Sequence, residues 1–134
     1  ELLRSGVKLT EARELARQEG AISRERSHRL VELFAARMEA GYRTGKGVAD
    51  YAKELQITPT HLSRVCREAS GRPALALLNE RVMYEARRLL GETDLPAREV
   101  AEQLGFSSAA YFTRAFSQMT GMTPSAYRKP PLRA

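Results

Sequence analysis

The chain has 134 residues, 43% of them hydrophobic and 28% charged, and its 22 basic against 16 acidic residues give a net charge of +6. That length holds one domain or two very small ones around a shared element, and the basic excess suits a polyanionic partner. The single cysteine, Cys66, excludes an internal disulfide, and the absence of a long apolar run excludes a membrane-spanning helix, so the reading is a cytoplasmic chain with no membrane partner.

Helical periodicity dominates, and no alternating stretch bounded by turn residues signals a strand. Residues 10–19 predict a short amphipathic helix with Thr10 as N-cap and Gly20 as stop. Residues 24–41 predict a second, with Leu30, Phe34 and Met38 at every fourth position and Gly41 at its end. Leu2, Leu3, Val7, Leu9 and Leu15 suit a dimerisation or interdomain segment, and the alternative is a frayed linker left by truncation. The chain begins at Glu1 without a methionine, so it is expected to be a piece of a longer protein. Residues 1–27 then form a linker or the end of a missing N-terminal regulatory region.

Thr44-Gly45-Lys46-Gly47 is turn-rich and leads to a helix over 48–55, with Val48, Tyr51, Ala52 and Leu55 on its inner face. Thr58 and Pro59 start the next helix, which runs to about Ser70 and stops at Gly71. Pro73 opens a long helix over 73–90, roughly 25 Å in length at the usual rise. Its expected apolar stripe is Leu75, Leu78, Val82, Ala86 and Leu89, and Gly91 is its expected stop. Two short helices follow over 97–104 and 108–119 with a tight turn at Gly105, and Thr123-Pro124 caps a last turn over 125–128 before Pro130-Pro131.

Residues 97–128 have the grammar of a helix-turn-helix. The second helix of the pair is apolar on one side and carries Ala109, Ala110, Thr113 and Arg114 on the other. Such a split face is what a helix needs when one side packs in a core and the other lies in a DNA groove. A looser copy lies upstream. A shift of 49 places Tyr51 on Val100, Ala52 on Ala101, Leu55 on Leu104 and Ile57 on Phe106; beyond the turn a shift of 50 places Leu62 on Phe112, Arg64 on Arg114, Cys66 on Phe116 and Gly71 on Gly121. The second turn therefore has one extra residue. Packing requires the apolar matches, but it does not require the outward Ser63-Arg64 and Thr113-Arg114 pairs to repeat.

Gly105-Phe106, Phe112, Arg114, Phe116, Gly121, Pro124, Tyr127 and Arg128 resemble the C-terminal signature of the AraC/XylS bacterial transcription regulators, with Val100-Ala101 fitting the helix before it. The resemblance spans roughly residues 28–129. The first unit, Thr58 to Arg72, also looks like the subgroup controlling catabolism of hydroxylated aromatic acids. The family resemblance implies an all-α, homeodomain-like fold: a first helix-turn-helix subdomain over 28–71, a linker helix over 72–91, a second subdomain over 92–129 and a tail over 130–134. It implies double-stranded DNA as partner, with both recognition helices in neighbouring major-groove segments. Carried over by position, base contacts fall to Thr60, Ser63 and Arg64 and to Ala109, Ala110, Thr113 and Arg114. There are departures: Pro96 stands where the family often has a Ser-type cap, Ala97 replaces a larger aliphatic residue, and Val82 stands where Arg or Lys is common.

Arg64 and Arg114 suit bidentate contacts to guanine, and they suit surface ion pairs or, for Arg114, a bridge between helices. Ala109 and Ala110 allow close backbone approach and contact with thymine methyls, or simply favour helix. Thr58, Ser107 and Ser108 read as caps that also suit phosphate oxygens; His61, Arg128 and Lys129 are further phosphate candidates. Phe106, Phe112, Phe116 and Tyr127 belong to the core by their spacing. Cys66 reads as a small packed residue, because neither His28 nor His61 stands in ligand spacing with it. No acid pair, Cys/His pairing or phosphate-cradling glycine loop suggests an enzyme, a metal site or a cofactor. The expectation is a transcription activator that also touches RNA polymerase, with any small-molecule effector acting through the missing N-terminal region. The rival is a helical protein–protein interaction module without affinity for duplex DNA.

Overall fold

No proline occurs before Pro59, and the chain opens with one 40-residue helix, α1 (Leu2–Gly41). The computed structural model describes residues 2–129, with side chains from Lys8 onward. The side chains of Leu2, Leu3 and Val7 and the Pro130-Pro131 end lie outside the described residues. The expected break at Gly20 does not exist, and Thr10 lies inside the helix. A glycine inside a helix costs only about 1 kcal/mol relative to alanine, and Gly20 keeps helical backbone. Just upstream, Glu14 accepts hydrogen bonds from Arg17 (2.6 Å) and Gln18 (3.2 Å), tying the turns together.

A 3-10 turn (Tyr42–Thr44) ends α1, and six helices follow: α2 (Val48–Glu54), α3 (Pro59–Ser70), α4 (Ala74–Glu92), α5 (Ala97–Gln103), α6 (Ala109–Thr120) and α7 (Pro124–Arg128). The all-α architecture of two helix pairs around a long middle helix agrees with the sequence reading. Two details of α4 differ. Leu75 is 55% exposed, because the buried stripe starts one residue earlier at Ala74 and continues through Leu78, Ala86 and Leu89. The helix also runs through Gly91. It ends where the Thr93 hydroxyl donates to the Leu89 carbonyl (2.5 Å) and the Arg128 guanidinium donates to the Leu90 carbonyl (2.9 Å). The Leu89 carbonyl also accepts the Thr93 amide (3.1 Å), and the Arg128 donor serves the Leu90 carbonyl beyond it.

The interior consists of two apolar clusters divided along α4. Phe34, Tyr51, Ala52, Leu62, Val65 and Cys66 meet Ala74 and Leu78 from its first half. Val100, Ala101, Leu104, Phe112, Ala115 and Phe116 meet Met83, Ala86, Leu89 and Leu90 from its second half. Phe106 and Tyr127 border the second cluster, linked through Phe112 and Phe116 by ring centroids 5.1–5.8 Å apart. Met38 and Val82 pack against both clusters. Tyr42 precedes both helix pairs in sequence, yet it is buried in the second cluster. Burial pushes the Cys66 thiol above its ordinary range, as suits a packed residue.

One acid is buried with the apolar side chains. Glu85 on α4 is 3% exposed and accepts from Arg88 on the same helix (Nε to each carboxylate oxygen, 3.1 Å) and from Arg43 in the 3-10 turn (3.4 Å). Arg81 lies 3.8 Å from it and makes a two-pronged pair with Glu39 of α1 (2.7 and 2.9 Å), with its guanidinium 4.1 Å over the Tyr42 ring. This network joins α1, the 3-10 turn and α4 at the level where the two cores meet. The Arg88 hydrogen bonds hold the Glu85 carboxyl below its ordinary 4.5, and the charges of Arg88, Arg43 and Arg81 add to them, against the opposing effect of burial. A depressed carboxyl contributes stability that is complete above its unfolded value and is lost as pH falls through the folded one. Glu85→Gln is therefore expected to lower unfolding free energy at neutral pH by about 2 kcal/mol. It should also flatten the loss of stability below pH 4.5, as read by denaturant titrations across the acid range.

Candidate nucleic-acid interface

The two helix pairs are built by the same local chemistry. In the first turn Gln56 takes a left-handed conformation (φ 60°), and the Ile57 amide donates to the Ala52 carbonyl (3.0 Å). In the second, Gly105 takes that place (φ 77°), and the Phe106 amide donates to the Ala101 carbonyl (2.9 Å). The Thr58 hydroxyl accepts from the His61 amide at the start of α3, and the Ser108 hydroxyl accepts from the Tyr111 amide at the start of α6, both at 3.0 Å. Gly71 and Gly121 close the two helices in left-handed conformation. The correspondence extends past what the sequence comparison matched. The Ser70 hydroxyl donates to the Cys66 carbonyl and the Thr120 hydroxyl to the Phe116 carbonyl, each at 2.6 Å. The extra residue lies between α5 and α6, as the change of shift implied. α5 starts at Pro96 without a side-chain cap.

Leu62, Val65 and Cys66 bury one side of α3; Phe112, Ala115 and Phe116 bury one side of α6. The candidate base-reading residues lie off these stripes. Thr60, Arg64, Ala109, Ala110 and Arg114 are exposed, and Ser63 and Thr113 are half-buried. The Arg64 guanidinium lies 3.0 Å from Nδ1 of His61. A guanidinium can only donate, so in this contact Nδ1 of His61 is the acceptor. Among the described residues, Arg114 has no hydrogen-bond or ion-pair partner and Arg64 has no acidic one. The surface ion pair and the helix-bridging alternative therefore find no support in the geometry.

The phosphate candidates divide. Thr58 and Ser108 serve as caps by accepting, which leaves each hydroxyl proton available to a phosphate oxygen. Ser107 and Lys129 are exposed. Arg128 is half-buried, and it donates through Nε to the Leu90 carbonyl and through Nη2 to the Leu89 carbonyl (3.5 Å). It therefore closes the end of α4, a role that sequence spacing did not suggest. Tyr111 was also missed. Tyr111 is 52% exposed, and its ring packs on Phe106 at 5.8 Å near the start of α6. Its position beside Phe112, one step off the buried stripe, was the available signal.

Residues 51–130 match a protein-family model described as a helix-turn-helix domain. Among curated relatives, the regulatory protein PocR of Salmonella typhimurium is 34% identical over 80 residues, covering 60% of this chain and 26% of that protein. The arabinose operon regulatory protein of Escherichia coli is 31% identical over 81 residues, covering 60% and 28%. The chain thus matches about a quarter of the length of these relatives. Among solved structures, the C-terminal domain of the two-component response regulator yesN from Fusobacterium nucleatum superposes with a TM-score of 0.69 at 29% identity, over 73% of this chain and 96% of that one. The DNA-binding domain of the global transcriptional factor AdpA, in complex with a target DNA, superposes with a TM-score of 0.64 at 28% identity, over 74% and 88%. With its paired helix-turn-helix units set on one shared helix, the chain belongs to the AraC/XylS family of transcription regulators and carries the family's DNA-binding domain.

Proposed function

We propose that the chain reads two neighbouring major-groove segments of one duplex, α3 entering the first and α6 the second. The observation that carries this reading is the duplicated outward pair Ser63-Arg64 and Thr113-Arg114, with both arginines exposed and without an acidic partner among the described residues. Arg64 and Arg114 read guanine through two donors each. Thr60, Ser63 and Thr113 add single hydrogen bonds, and Ala109 and Ala110 admit thymine methyls. Thr58, His61, Ser107, Ser108 and Lys129 meet phosphates and set the register, while Arg128 stays on the carbonyls at the end of α4. The two segments lie about one helical turn, roughly 34 Å, apart on an asymmetric site. Because α4 packs into both cores, the duplex bends to meet a rigid reader.

The longer protein is a cytoplasmic regulator that activates transcription through contact with RNA polymerase, with its effector bound by a region outside this chain. Its relatives are regulators several times longer than the matched segment, and they support that reading. The alternative, a protein-binding helical module, predicts no duplex affinity at any salt concentration. For the DNA reader, a mobility-shift titration should show log affinity falling linearly with log salt, with a slope of about −0.9 per phosphate contacted. Arg64→Ala should relax preference at one base pair of the first segment by about 1–3 kcal/mol, and Arg114→Ala should do so in the second. Selection of binding sites from random duplexes measures both, and an unchanged consensus for Arg64→Ala removes that residue from the reading set.

A further inference from the structure

The two helix-turn-helix units meet through bare backbone. Gly45, left-handed at the exit of the 3-10 turn (φ 78°), lies against Gly105, left-handed in the turn before α6 (φ 77°). A Cβ on Gly105 would stand 2.3 Å from the Gly45 nitrogen and 2.6 Å from the Thr44 carbonyl carbon; one on Gly45 would stand 2.5 Å from the Gly105 oxygen. Non-bonded atoms need about 3.5 Å, so the two loops would have to part by about 1 Å. The obstructing atoms are main chain, and no rotamer relieves them. Beside this contact the units leave a cleft of about 410 Å³, bordered by Leu75, Asn79, Tyr111 and Met119. The glycine pair therefore acts as a strut at the edge of an unfilled gap. One end of the strut leads through Gly47 into the first helix pair. The other leads through Phe106 and Ser108 directly into α6.

The geometry points to the Gly45–Gly105 contact as the stop that sets the relative placement of α3 and α6, and through it the spacing between DNA segments that the protein accepts. This rests on the two-segment reading above. The fold supplies its own control. Gly71 has the same left-handed backbone (φ 77°) with nothing within 4 Å of an added Cβ. Gly71→Ala therefore carries the backbone strain alone, and Gly45→Ala carries the strain and the collision. Gly45→Asn carries the same collision with a residue that tolerates left-handed backbone better.

Two measurements test the contact. In DNA-free protein, spin labels at Arg67→Cys on α3 and Gln118→Cys on α6 report the separation of the helices, while buried Cys66 stays unlabelled. With unlabelled protein, binding is compared on the site selected by the parent and on duplexes with one base pair inserted or removed between the segments. Both Gly45 variants should shift the label distance and move the preference between spacings by about tenfold, the scale of one mismatched base pair. Gly71→Ala should move neither. The proposal is overturned by unchanged label distances in folded Gly45 variants, or by an equal change in Gly71→Ala. It also falls if distances shift while spacing preference does not, or if both Gly45 variants unfold where Gly71→Ala folds. Failure of the parent protein to bind any duplex at low salt defeats the two-segment reading instead, and the label distances still decide whether the strut exists.

Discussion

Everything in this molecule hangs on the division of one helix between two cores. α4 offers Ala74 and Leu78 to the first helix pair and Met83, Ala86, Leu89 and Leu90 to the second. Neither pair has enough apolar surface to close a core alone, since each contributes only two short helices. The shared helix removes that shortage and in doing so couples the orientation of one pair to the other. Met38 and Val82 pack on both clusters. Val82 occupies a place where the family often has a basic residue, and here it joins the apolar packing.

Electrostatics reinforces the division at its midpoint. Glu85 is buried between the two apolar clusters and faces three arginines drawn from two elements. Burying an acid this way is expensive unless its oxygens are filled, and the Arg88 and Arg43 donors fill them. The arginines involved are thereby distinguished from those exposed on α3 and α6. Arg43, Arg81 and Arg88 hold the scaffold, while Arg64 and Arg114 have no acidic partner among the described residues.

Local signals were legible where a single turn of chain decides the outcome. Thr58 and Ser108 as caps, Gly71 and Gly121 as stops, and the buried stripes of α3 and α6 all depend on neighbours within four residues. The repeat then gave the topology, because two matching helix pairs require a common wall. Signals that depend on distant partners were not legible. Gly20 and Gly91 looked like stops, but a glycine ends a helix only when the following chain offers a left-handed exit, and here it does not. Leu75 looked like part of the stripe, and only the position of α3 decides that Ala74 faces inward instead. Tyr42 in the second core, Arg128 on the α4 carbonyls and the glycine pair at 45 and 105 each join residues about forty to sixty positions apart. For the proposed interface, residue types and spacing nominated the candidate residues, whereas the exposure of Tyr111 was visible only in the structure.

The order of the cores along the chain has a consequence for folding. The buried members of the first core run from Phe34 to Leu78, so all of them precede the second helix pair in the chain. The second core draws on Tyr42 and is completed only by Phe116, with Tyr127 and Arg128 closing over the end of α4. The first unit can therefore close before the second pair docks, while Met83, Leu89 and Leu90 still face water. That open stage is the one in which this protein is most exposed to misassociation.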